Sequence, residues 1–523
     1  MGIFRRSPEG ISSATQQALI DTAPPPDLHG TAAASMCGAR LIILWSARDP
    51  ERVGESACCE PARGHILGRA PQLQAGEQSL CFVQDRPSGL EPAAKNSVPH
   101  GCDLQGEALS RRQLAFSWEG PELFVRNIGR CPLWINGLLQ GRARVQPGDT
   151  LHLQNQLLLL VARSERIQGA FRGPDGRIPF GAADADGLVG ESPAMWRLRQ
   201  QIAQHGPSED HVLVIGPSGA GKELVAQALV RQSARAVRPL ISENVSTLPS
   251  SLAATLLFGN RRNFPNPGME ERPGLIGLAE NGTLFLDELG DMASDVQPLL
   301  LRVMERSGEY LRIGDEAKPR RANVRMIAAT NHPERLRPEL RRRFQREIHL
   351  PGLDARPEDI PLLARHLVLR QLAQRPDLQR FVLRGQPCLD PRFVEQLVRH
   401  RYNTHVAELA FLLEQSIGNS PDDILLPLSK EALQLRAISA STSLAVLPAA
   451  QEPAAPFDHN DAIGKTGGLP SASEAQQALD NASGSVVNAA KQLGINRHQL
   501  HRLIRRHALV VFRGTKKESV SDS

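Results

Sequence analysis

Aromatic residues make up only 4% of this 523-residue chain. No stretch approaches the run of about eighteen apolar residues that a membrane-crossing helix needs, and the N-terminus lacks the long apolar core of a secretion leader. The seven cysteines are scattered, with Cys58-Cys59 the one close pair. There is no Cys-x-x-Cys and no Cys/His set at zinc spacing, which argues against a zinc finger or a disulfide-framed scaffold. An odd, unpatterned count suits a reducing cytoplasm. Charge of one sign is also missing: the formal net charge of +5 makes the whole chain no polycation. These absences lead us to expect a cytoplasmic protein without a membrane partner. What is plentiful is glycine and proline, 43 and 39 residues, which suit linkers between three or four domains. Basic charge gathers at one end, where residues 496–517 hold seven Lys/Arg and no acid.

The chain is organised around one stretch. An apolar run, His211 to Ile215, leads into Gly216, Pro217, Ser218, Gly219, Ala220, Gly221, Lys222 and Glu223, and a helical pattern follows to Val230. Strand, glycine-rich loop and helix at this spacing make a P-loop. Small residues let backbone N–H groups curl around phosphates, the helix N-terminus adds its positive dipole, and Lys222 reaches the outer phosphate oxygens. Glu223 stands where a Ser or Thr would usually ligate magnesium. Downstream, Gly282-Thr-Leu-Phe-Leu-Asp-Glu288 is a buried strand ending in two acids, the Walker B layout. Asp287 is then the magnesium residue, and Glu288 the group that polarises the attacking water. A third strand, residues 324–331, ends in a polar pair that places Asn331 to sense the outer phosphate of ATP. Strands alternating with helices around a phosphate loop predict a parallel α/β sheet with its ligand at the strands' carboxyl ends.

Residues 187–435 resemble the AAA+ domain of sigma-54-dependent transcriptional activators, the bacterial enhancer-binding proteins. The resemblance rests on Val189-Gly-Glu-Ser-Pro-Ala194, the P-loop with Glu223, Leu256-Leu-Phe-Gly259, Arg272-Pro-Gly274, Ala279 to Met292, and Glu358-Asp-Ile-Pro-Leu362. It implies ATP with Mg2+ and a homo-oligomer, from dimer to ring hexamer. It also implies that Asn244 restrains Glu288, and that Arg337 and Arg343 are arginine fingers acting across a subunit boundary. The chain departs from the family twice. The family's Gly-Ala-Phe-Thr-Gly-Ala loop, which grips sigma-54, reads Asn263-Phe-Pro-Asn-Pro-Gly268, with two prolines that stiffen it. In the lid, Ala407 of Tyr402-Asn-Thr-His-Val-Ala-Glu-Leu409 replaces the family's sensor II arginine.

Upstream, short apolar stretches separated by turns (Leu41 to Trp45, His65 to Leu67, Leu114 to Trp118, Leu123 to Arg126, Thr150 to Leu153, Leu157 to Val161) predict a β-sandwich. This region resembles the forkhead-associated (FHA) domain through Leu67-Gly-Arg69, Leu109-Ser-Arg-Arg112 and Asn127-Ile-Gly129 leading to Trp134-Ile-Asn-Gly137. The resemblance implies that Arg69 and Ser110 contact a phosphothreonine protein, a guanidinium fork and a hydroxyl making a sensible clamp. Gln113 stands in place of the family's His, and Cys131-Pro-Leu133 in place of its Asn-Gly. At the other end, residues 485–506 read as two short helices, the first ending at Gly494 and the second capped by Asn496. Arg497, His498, Gln499, His501, Arg502 and Arg505 lie largely off its apolar stripe. The stretch resembles the Fis-type helix-turn-helix module, which implies contact with double-stranded DNA.

The expected chain is therefore multidomain, with an N-terminal all-β sandwich, a central α/β P-loop domain with a helical lid, and a C-terminal all-α module. The expected divisions are 1–39 without structure, 40–163 the sandwich, 164–186 a linker, and 187–355 and 356–436 the two parts of the AAA+ domain. A flexible linker (437–470), the helix-turn-helix (471–510) and a basic tail (511–523) complete it. Three functions fit. One is a DNA-binding regulator with an altered contact to the sigma-54 RNA polymerase holoenzyme. The others are an orthodox ATP-hydrolysing sigma-54 activator and a phosphopeptide-binding scaffold with a vestigial ATPase.

Overall fold

The computed structural model describes residues 38–428, apart from 62, 89, 91–103, 107, 166, 168–169, 172, 174–177, 265, 306, 316–318, 373 and 422, together with 477–478 and 492–493. Arg497, His498, Gln499, His501, Arg502 and Arg505, expected to contact DNA, lie outside them. The chain divides into two compact units, residues 1–443 and 444–523, and the architecture below is that of the first. Among the described residues no helix is long and apolar enough to cross a membrane.

Eleven strands open the unit: β1 (Ala39–Ser46), β2 (Ser56–Cys59), β3 (Gly64–Leu67), β4 (Glu77–Ser79), β5 (Leu114–Glu119), β6 (Glu122–Asn127), β7 (Leu133–Ile135), β8 (Leu138–Leu139), β9 (Arg142–Val145), β10 (Thr150–Leu153) and β11 (Leu157–Arg163). They form two sheets, ordered β2-β1-β11-β10-β7-β8 and β4-β3-β5-β6-β9. Each stretch read as a strand from sequence falls in one of them. The strands β2, β4, β7, β8 and β9, two to four residues each, were not read from the sequence.

Strand alternation explains the packing. Leu41 and Ile43 of β1, with Leu157, Leu159 and Val161 of β11, point into the sandwich core. Their neighbours Ile42, Leu44, Leu158 and Leu160 point the other way and are also buried, in a second core shared with the helical lid. Unbroken apolar runs such as Leu157 to Val161 are what a strand covered on both faces requires.

The nucleotide domain contributes α1 (Pro193–His205), β12 (Val212–Ile215), α2 (Lys222–Arg231), β13 (Leu240–Asn244), α3 (Ser250–Phe258), α4 (Gly274–Leu278), β14 (Thr283–Asp287), α5 (Gln297–Val303), the short hairpin β15 (Glu309–Tyr310) and β16 (Arg320–Arg321), β17 (Arg325–Thr330), α6 (Pro338–Arg341) and β18 (Arg346–His349). The sheet is parallel in the order β13-β14-β17-β12-β18. Separate apolar cores cover its two faces. The lid follows as α7 (Ile360–Leu372), α8 (Pro391–Arg399) and α9 (His405–Asn419).

The 164–186 stretch was expected as a linker. Phe171 and Ile178 are buried around Trp196 of α1, and Ala170 pairs with Ser88 of the segment that follows β4. Two widely spaced apolar residues give no period in sequence, yet they suffice to pin the segment. The lid is likewise no free lobe, since α8 lies against β1 and β11. Polar ties reinforce that contact: Trp45 Nε1 donates to Leu389 O (2.9 Å), Thr150 Oγ1 to Glu395 Oε1 (2.5 Å), and an Arg399 guanidinium N–H to Asn136 O (2.9 Å). The cysteines also differ from the expected scatter: Cys58 and Cys81 are disulfide-bonded, set opposite each other by the antiparallel bridge between Ser56 and Val83.

Two predictions follow from this packing. Leu160→Ala removes a side chain buried in the shared core and should cost about 2–5 kcal/mol. Hydrogen exchange should then speed up in α8 as well as in β11; a change confined to β11 would show the two parts to be independent. Burial, aided by Arg325, lowers the His211 pKa from 6.5 to about 4, and its Nδ1 accepts the Met326 N–H (3.0 Å). The folded pKa lies below the unfolded one, so this stability is present above pH 6.5 and is lost as pH falls toward about 4. Urea midpoints measured across that window should fall less steeply for His211→Gln, whose amide oxygen can still accept the bond.

Candidate functional site

The carboxyl ends of β12, β14 and β17 meet at the P-loop. Gly219 and Gly221 take φ of 72° and 105°, conformations that glycine alone adopts without cost, and the loop curls into α2. Lys222 is 6% exposed; its ammonium donates to Gly216 O (3.3 Å) and to Glu288 Oε1 (3.4 Å). Those are long contacts for a buried cation. Asp287 ends β14, its Oδ1 accepting the N–H of Glu288 (2.9 Å). Glu288 itself takes φ of 52°, a strained value for a residue with a side chain, and its buried Oε2 has no hydrogen-bond partner among the described residues. A buried ammonium in long contacts and a carboxylate oxygen with no partner among the described residues are groups suited to phosphate and a cation. The donor set fits ATP and Mg2+.

The other sequence-derived residues gather nearby in different degrees. Asn244 ends β13 directly opposite Asp287 in register. Its side-chain oxygen accepts from Ser246 N (3.0 Å) and Ser246 Oγ (2.7 Å), while Glu288 is held by Lys222. Asn331 follows Thr330, whose carbonyl accepts the Gly216 N–H (3.1 Å) and so ties β17 to the loop. Arg337 and Arg343 flank α6 with exposed side chains. Arg343 pairs with Glu305 at 2.9 Å.

The lid closes on the loop from above. Val406 N–H donates to Gly219 O (3.1 Å), and a Cβ added at Gly219 would lie 2.2 Å from Thr404 O and 3.3 Å from the Ala407 Cβ. Ala407 therefore sits against the phosphate loop itself. At the hinge, the His405 ring packs on Gly352 and accepts the Leu353 N–H (3.2 Å). Asp359, fully buried, accepts from Glu191 N (2.8 Å), Ser192 N (2.9 Å) and Ser192 Oγ (2.5 Å). That contact gives a physical reason for Gly-Glu-Ser and Glu-Asp-Ile to occur in one chain.

A second site lies at the end of the sandwich. A cavity of about 780 Å³ is lined by Arg69, Ser110, Arg111 and Arg130, with no acidic residue among the described residues of its walls. A Cβ at Gly68 would lie 1.9 Å from Arg111 O, so only glycine lets the two turns touch. Arg69 N–H donates to Ser110 O (3.1 Å), and Ser110 Oγ accepts from Arg130 N (2.9 Å). Gln113, whose identity departs from the FHA pattern, is fully buried and holds this rim together. Its amide donates to Asn127 Oδ1 (2.7 Å) and Cys131 O (2.8 Å), and its oxygen accepts from Ser110 N (3.1 Å). Arg130 was missed in the sequence because it precedes the altered Cys131-Pro-Leu133 loop; Arg111 was visible within Ser-Arg-Arg but unassigned.

Gly219→Ala should force the lid off the loop, because neither Thr404 O nor the positive φ tolerates a methyl group. Amide exchange over residues 404–409 should speed up while β14 stays protected. Unchanged exchange in the lid would show that Gly219 does not seat it.

Residues 188–349 match the Sigma-54 interaction domain family. The anaerobic nitric oxide reductase transcription regulator NorR of Aeromonas hydrophila is 39% identical over 237 residues, covering 44% of this chain and 45% of NorR, so the match spans under half of that relative's length. The transcriptional regulatory protein ZraR of Salmonella typhimurium is 32% identical over 365 residues, covering 68% of this chain and 75% of ZraR. Among solved structures, NtrX from Brucella abortus in complex with ATP aligns with a TM-score of 0.41 at 27% identity, covering 62% of this chain and 70% of that one. With three quarters of ZraR covered at this identity, the chain belongs to the sigma-54-dependent transcriptional regulators.

Proposed function

We propose that the protein is an ATP-binding, DNA-bound transcriptional regulator whose FHA-like sandwich receives a phosphothreonine protein. The observation that carries the nucleotide reading is the contact between buried Lys222 and half-buried Glu288 at the mouth of the P-loop, with one Glu288 oxygen unmatched. In this reading the amides of Gly216 to Gly221, with Lys222, hold the phosphates. Asp287 holds magnesium, which when bound neutralises phosphate charge. Glu288 orients the attacking water, Asn331 reads the outer phosphate, and Asn244 restrains Glu288. Arg337 and Arg343 act on a neighbouring subunit in a homo-oligomeric ring.

Two observations support an altered output. Ala407 offers only a methyl group where the lid meets the loop. The stretch that replaces the family's sigma-54 grip is tied down by Asn260, whose fully buried amide donates to the carbonyls of Arg261 (3.0 Å), Phe264 (3.1 Å) and Glu270 (2.9 Å). Phe264 covers Gly314 of the neighbouring loop, and Arg312 pairs with Glu271. A loop so braced favours slow turnover and a changed contact with the sigma-54 RNA polymerase holoenzyme over orthodox activation. For the input, three arginines around Ser110 favour a phosphorylated ligand.

ATP turnover by the full chain should be slow, rise with protein concentration, and vanish in Glu288→Ala while that variant still binds ATP. Absence of ATP binding to wild type would overturn the nucleotide reading. Arg69→Ala should weaken phosphothreonine-peptide binding by about 1.5–3 kcal/mol, the worth of a charged hydrogen bond; equal titration curves for variant and wild type would remove the clamp. Double replacement Arg497→Ala/Arg502→Ala should abolish site-specific gel retardation. Retention of site-specific binding would move DNA recognition elsewhere and favour the scaffold reading.

A further inference from the structure

The segment after β4 begins in the sandwich and ends on the nucleotide domain. Leu80 and Phe82 are buried in the sandwich core, and Cys81 between them lines a cavity of about 490 Å³ together with Cys58, Arg40, Glu60, His65 and Asp85. Cys58 is exposed on edge strand β2. Its neighbour Cys59 faces inward, and burial pushes that thiol up to about 12. Only the outer member of the adjacent pair can react. Ser56 and Val83 exchange backbone hydrogen bonds (3.0 and 2.9 Å), so Cys58 and Cys81 stay opposite each other whether or not they are joined.

Beyond Cys81 the segment becomes a clamp. Asp85 pairs with Arg40 (2.6 Å). The Arg86 guanidinium lies over the rings of Phe180 (5.2 Å) and Trp196 (5.4 Å), is bidentate to Glu191 (3.1 and 2.7 Å) and donates to Ile178 O (2.7 Å). Glu191 also accepts the Gly181 N–H (2.8 Å), and its own N–H is held by Asp359 at the lid hinge. One end of the strap is thus covalent and the other holds the junction of sandwich, nucleotide domain and lid.

We propose that Cys58 and Cys81 form a reversible thiol–disulfide site, opened by a dithiol protein and closed by a peroxide, whose state sets how firmly the 81–88 strap clamps Glu191. In opening, a reductant thiolate attacks the exposed Cys58 Sγ and Cys81 leaves as a thiolate that takes a proton. The reductant's second thiol then displaces Cys58, which is protonated, and the reductant departs as its own disulfide. In closing, the Cys58 thiolate attacks a peroxide oxygen, forming a sulfenic acid and releasing water after protonation. The Cys81 thiolate displaces the sulfenic oxygen as a second water, restoring the bond. Reversibility follows from position: the bond lies at the surface on an edge strand, while Leu80, Phe82 and the Ser56–Val83 pair keep the fold in place without it.

The test uses the full chain, mapped by non-reducing peptide mass spectrometry and followed by hydrogen exchange. Dithiothreitol or a thioredoxin-type protein should open the Cys58–Cys81 cross-link in the folded protein, and hydrogen peroxide should restore it. Exchange over 82–88 and 178–191 should be several-fold faster in the reduced state, and Cys58→Ser/Cys81→Ser should match reduced wild type. A bond that opens only in denaturant, or Cys58 pairing with Cys37, Cys59 or Cys102, would overturn the site. Equal exchange in oxidised and reduced wild type would overturn its link to the clamp, whatever the variant's folding.

Discussion

The outer face of the β1/β11 sheet must be covered, and most of the molecule's arrangement follows from how it is covered. Ile42, Leu44, Leu158 and Leu160 present apolar side chains opposite those that build the sandwich core. A sheet apolar on both faces cannot stand in water on one side. The lid helices supply the cover, with Phe393, Leu397, Leu409 and Leu413 in the same core. A small β-sandwich ahead of a larger domain is easily pictured as a bead on a string; here it packs as one with the lid.

That fusion gives the two candidate sites a physical connection. The sandwich touches α8; α8 leads to α9, and the first turn of α9 rests on Gly219 of the phosphate loop. The second route runs through Arg86 and Glu191 to Asp359 at the hinge. Both are chains of packed or hydrogen-bonded groups; a coupling along either needs a two-state element at one end. The lid hinge, where the His405 ring lies on Gly352, is the natural place for one.

The P-loop and the paired acids were legible because their chemistry depends on residue type at fixed spacing. Gly219, Gly221, Lys222, Asp287 and Glu288 fall where that spacing puts them. Strands β1, β5, β6, β10 and β11 were legible through apolar runs, whereas β4 and β8 were too short to be seen. Gln113 shows the opposite limit. As a residue it looked like a lost histidine, yet in the fold it makes the bonds that hold the pocket rim. Phe171 and Ile178, in the stretch expected as a linker, acquire meaning only once Trp196 is beside them.

The sequence by itself determined the local chemistry: a phosphate loop, two acids at a strand end, and a basic stretch at the C-terminus. Those features depend on neighbours within a few residues, so spacing expresses them directly. Only the tertiary structure decided that the sandwich seals the lid, that Ala407 meets Gly219, and that Cys58 faces Cys81. Each of these joins residues far apart in the chain, and such contacts are selected by the burial of whole faces, which no local pattern records.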